Sequence, residues 1–353
     1  MVAGASGLVG EAATLAFAAR CEPVIAVSRR PPRAADGVRH VAVDLTDADA
    51  VLAAVAGLPP VTHLVYAALY EKPDLVAGWR DPDQMATNRA MLDALLTAVA
   101  GRGALAHVSL MQGTKAYGVH LRPIAVPARE GAPRHAHDNF YWLQEDLLRE
   151  RAAEHGFAFT IWRPQVVFGE TVGVAMNLVP ALGAYAAIRR EEGRPFSFPG
   201  GPPYVLEATD ARLLGRALAW ASGAGAAANQ TFNITNGDVF VWHNVWPAIA
   251  DALGVEPGQP ERHSLASLPE KADVWERVVA RHNLEPTSLP ALLGASHLYA
   301  DFAFATGASR PPQPALVSTI KLRQAGFHEC IDTEIMLREL IAALQERRII
   351  PPR

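Results

Sequence analysis

Along the first half of the chain, short runs of apolar, β-prone residues alternate with longer stretches whose apolar positions recur every three or four residues. The runs at 24–27, 41–43, 63–67, 104–110 and 157–162 are expected as strands. They are nearly continuous in apolar character, the pattern of strands covered by helices on both faces of a parallel sheet. Between them the spacing predicts helices at about 11–19, 47–55, 82–100 and 141–155. Strict alternation of strand and helix predicts an α/β fold with a doubly wound parallel sheet of the Rossmann type.

After Arg163-Pro164 the regularity breaks. The Pro- and Gly-rich stretch 194–203 marks a boundary or a site-lining loop, and 223–228 is a linker of small residues. Helical spacing returns at 211–222, 242–253, 274–281 and 333–344. The expected division is a cofactor-binding domain over 1–170, with a return contribution from about 205–240, and a smaller, mainly helical substrate-binding part over 171–204 and 241–353. Its pocket is expected to be lined by residues 172–204 and the C-terminal helices.

With 353 residues, half of them apolar, the chain can bury a large core. A net charge of −4 with scattered basic residues gives no footprint for nucleic acid or a membrane surface, so a small-molecule partner is expected. Cys21 and Cys330 make neither a disulfide framework nor a thiolate metal site. Without a long apolar span or a signal-like N-terminus, the expected location is cytoplasmic. A homodimer is left open. Only Met1, Val2 and Ala3 precede the first glycine, fewer residues than a buried strand usually has, so the natural chain is expected to begin upstream of Met1.

Gly4-Ala5-Ser6-Gly7-Leu8-Val9-Gly10 joins the first strand to the first helix. Glycines at that spacing permit a tight turn and close approach of a pyrophosphate, while the helix start offers N–H donors and partial positive charge. The next strand ends in Ser28-Arg29-Arg30, where a site for NAD would more often carry an acidic residue for the ribose hydroxyls. A guanidinium fork suits a 2′-phosphate, so NADP(H) is expected. Asp44-Leu45 fits an adenine-edge contact or, for the aspartate, the cap of the following helix. Ala67, Met111, Tyr141 and Val167 complete the expected cofactor set.

The chain has four lysines, Lys72, Lys115, Lys271 and Lys321, and none has a tyrosine four residues before it. The usual short-chain reductase pair on one helix is therefore missing, and only Lys115 follows a core strand at its C-terminal end. The segments Leu110-Met111-Gln112-Gly113-Thr114-Lys115-Ala116-Tyr117-Gly118 and Asn139-Phe140-Tyr141-Trp142-Leu143-Gln144-Glu145-Asp146 resemble the progesterone 5β-reductase and iridoid synthase-like branch of the short-chain dehydrogenases/reductases. The resemblance extends through Arg163-Pro164, Met176-Asn177 and 232–240. Gln112 stands for a threonine of that branch, Ala116 for a histidine and Trp142 for a second tyrosine.

The resemblance implies that Lys115 and Tyr141 are the catalytic pair. It implies hydride transfer from NADPH to the β-carbon of a small hydrophobic enone, with both residues stabilising the enolate oxygen. Developing charge on oxygen is best met by a preorganised phenol and a nearby cation in a dry pocket. Carbonyl reduction by the same residues, a nucleotide-sugar epimerase or dehydratase, and an NADP(H)-sensing regulator are the alternatives. Tyr117 is a weaker candidate acid, and the pair His135 and His137 lacks a third metal ligand, so no metal is expected. Ser6 does not stand in a nucleophile elbow. Trp242, Trp246 and Trp275 are expected in core or pocket wall.

Overall fold

The first strand, β1 (Val2–Ala3), passes through the glycine loop into α1 (Leu8–Ala18). In the computed structural model, which describes residues 1–33, 35–72 and 78–353, there follow β2 (Val24–Val27), β3 (Val38–Val41), α2 (Ala48–Ala56), β4 (His63–Tyr66), α3 (Pro82–Ala100), β5 (His107–Met111), α4 (Phe140–His155) and β6 (Ala158–Pro164). Next come β7 (Val166–Phe168), α5 (Leu178–Glu191), β8 (Ala208–Asp210), α6 (Ala211–Ala221) and β9 (Gln230–Ile234). Helices α7 (Trp242–Leu253), α8 (Ala272–His282), α9 (Leu289–Leu293), α10 (Ser296–Ala303), α11 (Ile320–Gln324) and α12 (Thr333–Glu346) complete the order. Among the described residues no helix is long and apolar enough to cross a membrane.

Two compact units divide the chain. The first comprises 1–165, 211–234 and 317–329; the second comprises 166–210, 235–316 and 330–353. Residues 166–170, 205–210 and 235–240 thus go with the second unit, and 317–329 returns to the first.

The first unit holds a seven-stranded sheet in the order β3-β2-β1-β4-β5-β6-β9, parallel throughout. Helices α2, α3 and α4 pack side by side, and α1 packs on α6. The second contact is close because Gly215 of α6 carries no Cβ, which would stand 2.6 Å from the Ala12 carbonyl oxygen. Leu64, Leu92, Leu95, Leu96, Val108, Leu110, Leu148 and Ile161 form the dry centre. The strand order reverses between β1 and β4, where Ala3 pairs with Val27 on one side and Tyr66 on the other. Open α/β sheets bind ligands just outside the strand ends at such a switch point.

The expected helices of this unit lie within three residues of the observed ones. Strand β3 lies earlier than the expected run at 41–43, because an edge strand with one neighbour keeps Arg39 in water and interrupts the apolar pattern. Strand β9 is not among the expected runs. Its buried polar residues Thr231 and Asn233 break the apolar pattern, and Asn233 is tolerated because its amide bonds Tyr117, Ala128 and Ser318.

In the second unit β7 and β8 form a parallel pair, and α5 is the core helix. Every residue from Leu178 to Arg189 is buried. A helix apolar around its whole circumference has no polar face to contrast with, which is why periodicity missed it inside the expected pocket-lining stretch. Trp242, Trp246 and Trp275 lie in this core, their indole N–H groups donating to the carbonyls of Ala303, Phe196 and Thr287.

Candidate active site

At the switch point the backbone itself makes the cradle. Gly4 has φ +78°, a left-handed conformation that side chains disfavour, and a Cβ there would meet Ala67 O at 2.7 Å. A Cβ on Gly10 would stand 2.1 Å from Gly4 O, so helix and turn touch only because Gly10 has no side chain. Gly4 N–H and Ala5 N–H donate to Val27 O, and Gly7 N–H donates to Gly4 O, fixing the loop against β2. Gly7 caps α1 with no side-chain bond to its first turn. The N–H groups of Leu8, Val9 and Gly10, orphaned by helix geometry, are left as donors for an anion. Ser6 sits half-buried at the crest of this turn. The cradle fits a dinucleotide pyrophosphate.

Beyond β2, the Ser28 hydroxyl donates to Arg30 O at 2.6 Å, and His40 Nε2 lies 3.0 Å from Ser28 O. Ser28 therefore shapes the turn, while Arg29 and Arg30 are exposed and have no ion-pair partner among the described residues. Asp44 does not cap α2; Asp47 does, accepting from Ala50 N–H. Asp44 instead accepts from the Thr46 N–H and hydroxyl, which hold its carboxyl below the usual range, helped by the charge of Arg29. Leu45 is buried in the sheet core. Arg33, which motif reading passed over, lies 3.8 Å from the buried Glu11 in the first turn of α1.

Lys115 stands on a short 3-10 turn after β5, and Tyr141 on the first turn of α4. Asn139 joins their backbones. Asn139 caps α4 by accepting from Tyr141 N–H at 2.9 Å, and its amide donates to Lys115 O at 3.0 Å. The Tyr141 hydroxyl reaches the Lys115 turn, 3.4 Å from where a Cβ on Gly113 would be. Burial lowers the Lys115 ammonium from its ordinary 10.5 to about 8, with the Glu71 carboxylate pulling the other way. Its Nζ lies 3.3 Å from the centre of the Trp79 ring, and Trp79 meets Tyr141 edge-on at 5.2 Å. A desolvated cation and a phenol ring thus meet the same indole, the kind of pair able to stabilise negative charge on a substrate oxygen.

Comparison with known proteins decides the family. Residues 1–200 match the family model described as NAD dependent epimerase/dehydratase family. The chain is 31% identical over 376 residues to (S)-8-oxocitronellyl enol synthase of Antirrhinum majus, covering 99% of this chain and 92% of the relative. The chain belongs to this family. Its place within it is the iridoid synthase-like branch, since the (S)-8-oxocitronellyl enol synthase of Catharanthus roseus is likewise 29% identical over 99% of this chain and 92% of its own length. It is an NAD(P)-dependent oxidoreductase of the short-chain dehydrogenase/reductase superfamily. In fold it resembles UDP-glucose 4-epimerase of Thermus thermophilus in complex with NAD, with TM-score 0.68, 18% identity and 98% of each chain covered. The Bordetella bronchiseptica enzyme WbmH in complex with NAD+ gives TM-score 0.66 at 16% identity, covering 98% of this chain and 97% of that one.

Gln112, just ahead of the Lys115 turn, has a structural use. Gln112 Nε2 donates to Tyr141 O at 3.1 Å and to Glu145 at 3.2 Å, while its Oε1 accepts from Arg163 Nε at 2.9 Å. Burial pushes the Glu145 carboxyl up, but Arg149, Arg163, Arg134 and Gln112 more than offset this and hold it below its ordinary range. A buried ionic seat therefore supports both the lysine turn and the tyrosine helix. Motif reading named Asn139 and Glu145 only as parts of a resemblance, and gave no signal for Trp79.

The Tyr117 hydroxyl donates to Asn233 at 2.6 Å, and burial raises it. Asn177 and Asp238 of the family motifs cap α5 and bond Thr333 in the second unit, and Asn236 bonds Thr333 as well. Met111 ends β5 and Ala67 follows β4, both at the carboxyl edge of the sheet; Val167 lies in β7 of the second unit. His135 pairs with Arg122, and among the described residues no three His, Cys, Asp or Glu side chains converge as a metal site.

Proposed function

We propose that this protein is an NADPH-dependent reductase of the carbon–carbon double bond of α,β-unsaturated carbonyl compounds. The observation that carries the reading is the bridge through Asn139, which holds the Lys115 turn and the Tyr141 helix start together. Gly4, Ser6, Gly7, Leu8, Val9 and Gly10 would hold the pyrophosphate, and Ala67 and Met111 would line the path to the nicotinamide. Arg29 and Arg30 would take the 2′-phosphate, with Ser28 shaping their turn and Asp44-Leu45 beside the adenine. When bound, the cofactor supplies a hydride to the β-carbon.

The remaining work falls to the chain. Tyr141 donates a hydrogen bond to the carbonyl oxygen, and the Lys115 charge stabilises the negative charge that grows there as the double bond shifts. Transfer of the Tyr141 phenolic proton to that oxygen leaves an enol, and the phenolate regains a proton from water. The relatives are named as synthases of an enol, which is what conjugate addition followed by protonation on oxygen produces. Homology supports the oxidoreductase class, and the arginine turn supports NADPH over NADH.

The test is NADPH consumption with 2-cyclohexenone, a steroid 4-en-3-one, an α,β-unsaturated dialdehyde and their saturated counterparts, with product analysis. Saturated carbonyl products from the enones are expected. Alcohols alone would move the reading to carbonyl reduction, and tight NADPH binding without turnover would favour a sensor.

A further inference from the structure

Trp79 lies on a short 3-10 turn ahead of α3 and is only 4% exposed. Four side chains lie close against it, with the His120 ring farther off at 6.2 Å. The Lys115 Nζ sits over the face at 3.3 Å, Tyr141 abuts the edge at 5.2 Å with Phe140 beside it at 4.6 Å, and the indole N–H donates to Glu71 Oε1 at 3.3 Å. Glu71 is itself held in place. Tyr70 N–H and O bond Asn88, Lys72 N–H donates to Gln84, and both partners are buried in α3. The Lys72 ammonium is already paired with Asp81 at 2.6 Å.

We propose that Trp79 is a positioning residue for the reduction: its indole face seats the Lys115 ammonium, its edge fixes the Tyr141 ring, and Glu71 locks the indole by accepting its N–H. An aromatic face is the one apolar surface that can desolvate an ammonium and still attract it. An aliphatic side chain of similar size would strip water from Lys115 with no return, and the group would shed its proton at lower pH. The charged group bearing directly on Lys115 is Glu71; Tyr141 and His120 face the Trp79 ring on which the ammonium sits, and Glu145 and Arg163 lie beneath its turn through Gln112. The inference rests on the reading of Lys115 and Tyr141 as the pair that meets the substrate oxygen.

Because the chain has only four lysines, a direct titration is practical. Reductive methylation with carbon-13 gives one lysine signal per residue, and Lys115→Arg assigns the one of interest. In the wild type that signal is expected to titrate near 8. In Trp79→Leu it should move down by about one pH unit, the size expected for loss of a desolvated cation–π contact. Trp79→Phe, kept as the milder variant, should move it the same way by less. Turnover of an enone in Trp79→Leu should fall about tenfold, with its alkaline limb shifted to match and NADPH affinity unchanged.

An unmoved Lys115 signal in both variants, alongside wild-type enone turnover, would sink the Trp79 assignment alone. An upward shift would do so too, since it would mean that Trp79 only excludes water. Failure of the wild-type protein to reduce any enone would overturn the site reading and the catalytic half of this proposal, whatever the titration shows.

Discussion

The two ends of the site are built by different means. At the end of β1 the glycine loop is made of backbone: its shape follows from the missing Cβ atoms of Gly4 and Gly10 and its donors are main-chain N–H groups. At the end of β5 the Lys115 turn and the start of α4 are held by side chains, with Asn139, Gln112, Glu145, Arg163 and Trp79 linking elements far apart in sequence. A backbone device tolerates almost no substitution at its own positions. A side-chain device can be retuned one contact at a time, because each of its links is a separate hydrogen bond or ring contact.

The same difference explains what could be read in advance. A backbone constraint leaves its trace locally, as glycines at fixed spacing between a strand and a helix, so the tight turn from Gly4 to Gly10 was legible from those residues alone. The central strands β2, β4, β5 and β6 were legible because burial on both faces leaves continuous apolar runs, whereas the edge strands β3 and β9 lack such runs. Lys115 and Tyr141 were recognised through a family resemblance, since their spacing alone points nowhere. Trp79 left no trace at all: its role depends on a lysine remote in sequence, whose distance to it only the folded chain sets. Helix α5 was lost for the opposite reason, an apolar surface so complete that no period survives in it.

The largest effect is expected at the backbone end. Gly10→Ala places a Cβ 2.1 Å from Gly4 O, and neither partner can yield without opening the loop. The substitution should cost about 1–3 kcal/mol of stability or more and remove NADPH binding, read by thermal melting and by cofactor fluorescence. Retained binding would show that the loop adapts and would erase the contrast.

Tyr141→Phe comes next. It takes away the phenol and leaves the ring on Trp79, so turnover should fall by about a hundredfold or more while NADPH affinity holds. Unchanged turnover would remove Tyr141 from the chemistry. Arg29→Ala should follow, weakening NADPH by about 1.5–3 kcal/mol through loss of a charge-assisted contact while leaving NADH nearly untouched. Equal weakening of both cofactors, measured as dissociation constants at one ionic strength, would mean that Arg29 does not read the 2′-phosphate.

The smallest expected effect is also the most discriminating. Asn139 does two things with one side chain: its oxygen caps α4 and its nitrogen holds Lys115 O. Asn139→Ala removes both and should lower stability by about 1 kcal/mol, the usual worth of a cap, with turnover down about tenfold for a misplacement of the pair. Asn139→Asp keeps the accepting oxygen and loses the donor, so its melting temperature should return to the wild-type value. If its turnover stays low, the bridge to Lys115 is what turnover requires, and the side-chain end of the site works by joining two elements. If turnover recovers with stability, the cap alone suffices, and the Lys115 turn is held by Gln112 and Trp79 without Asn139.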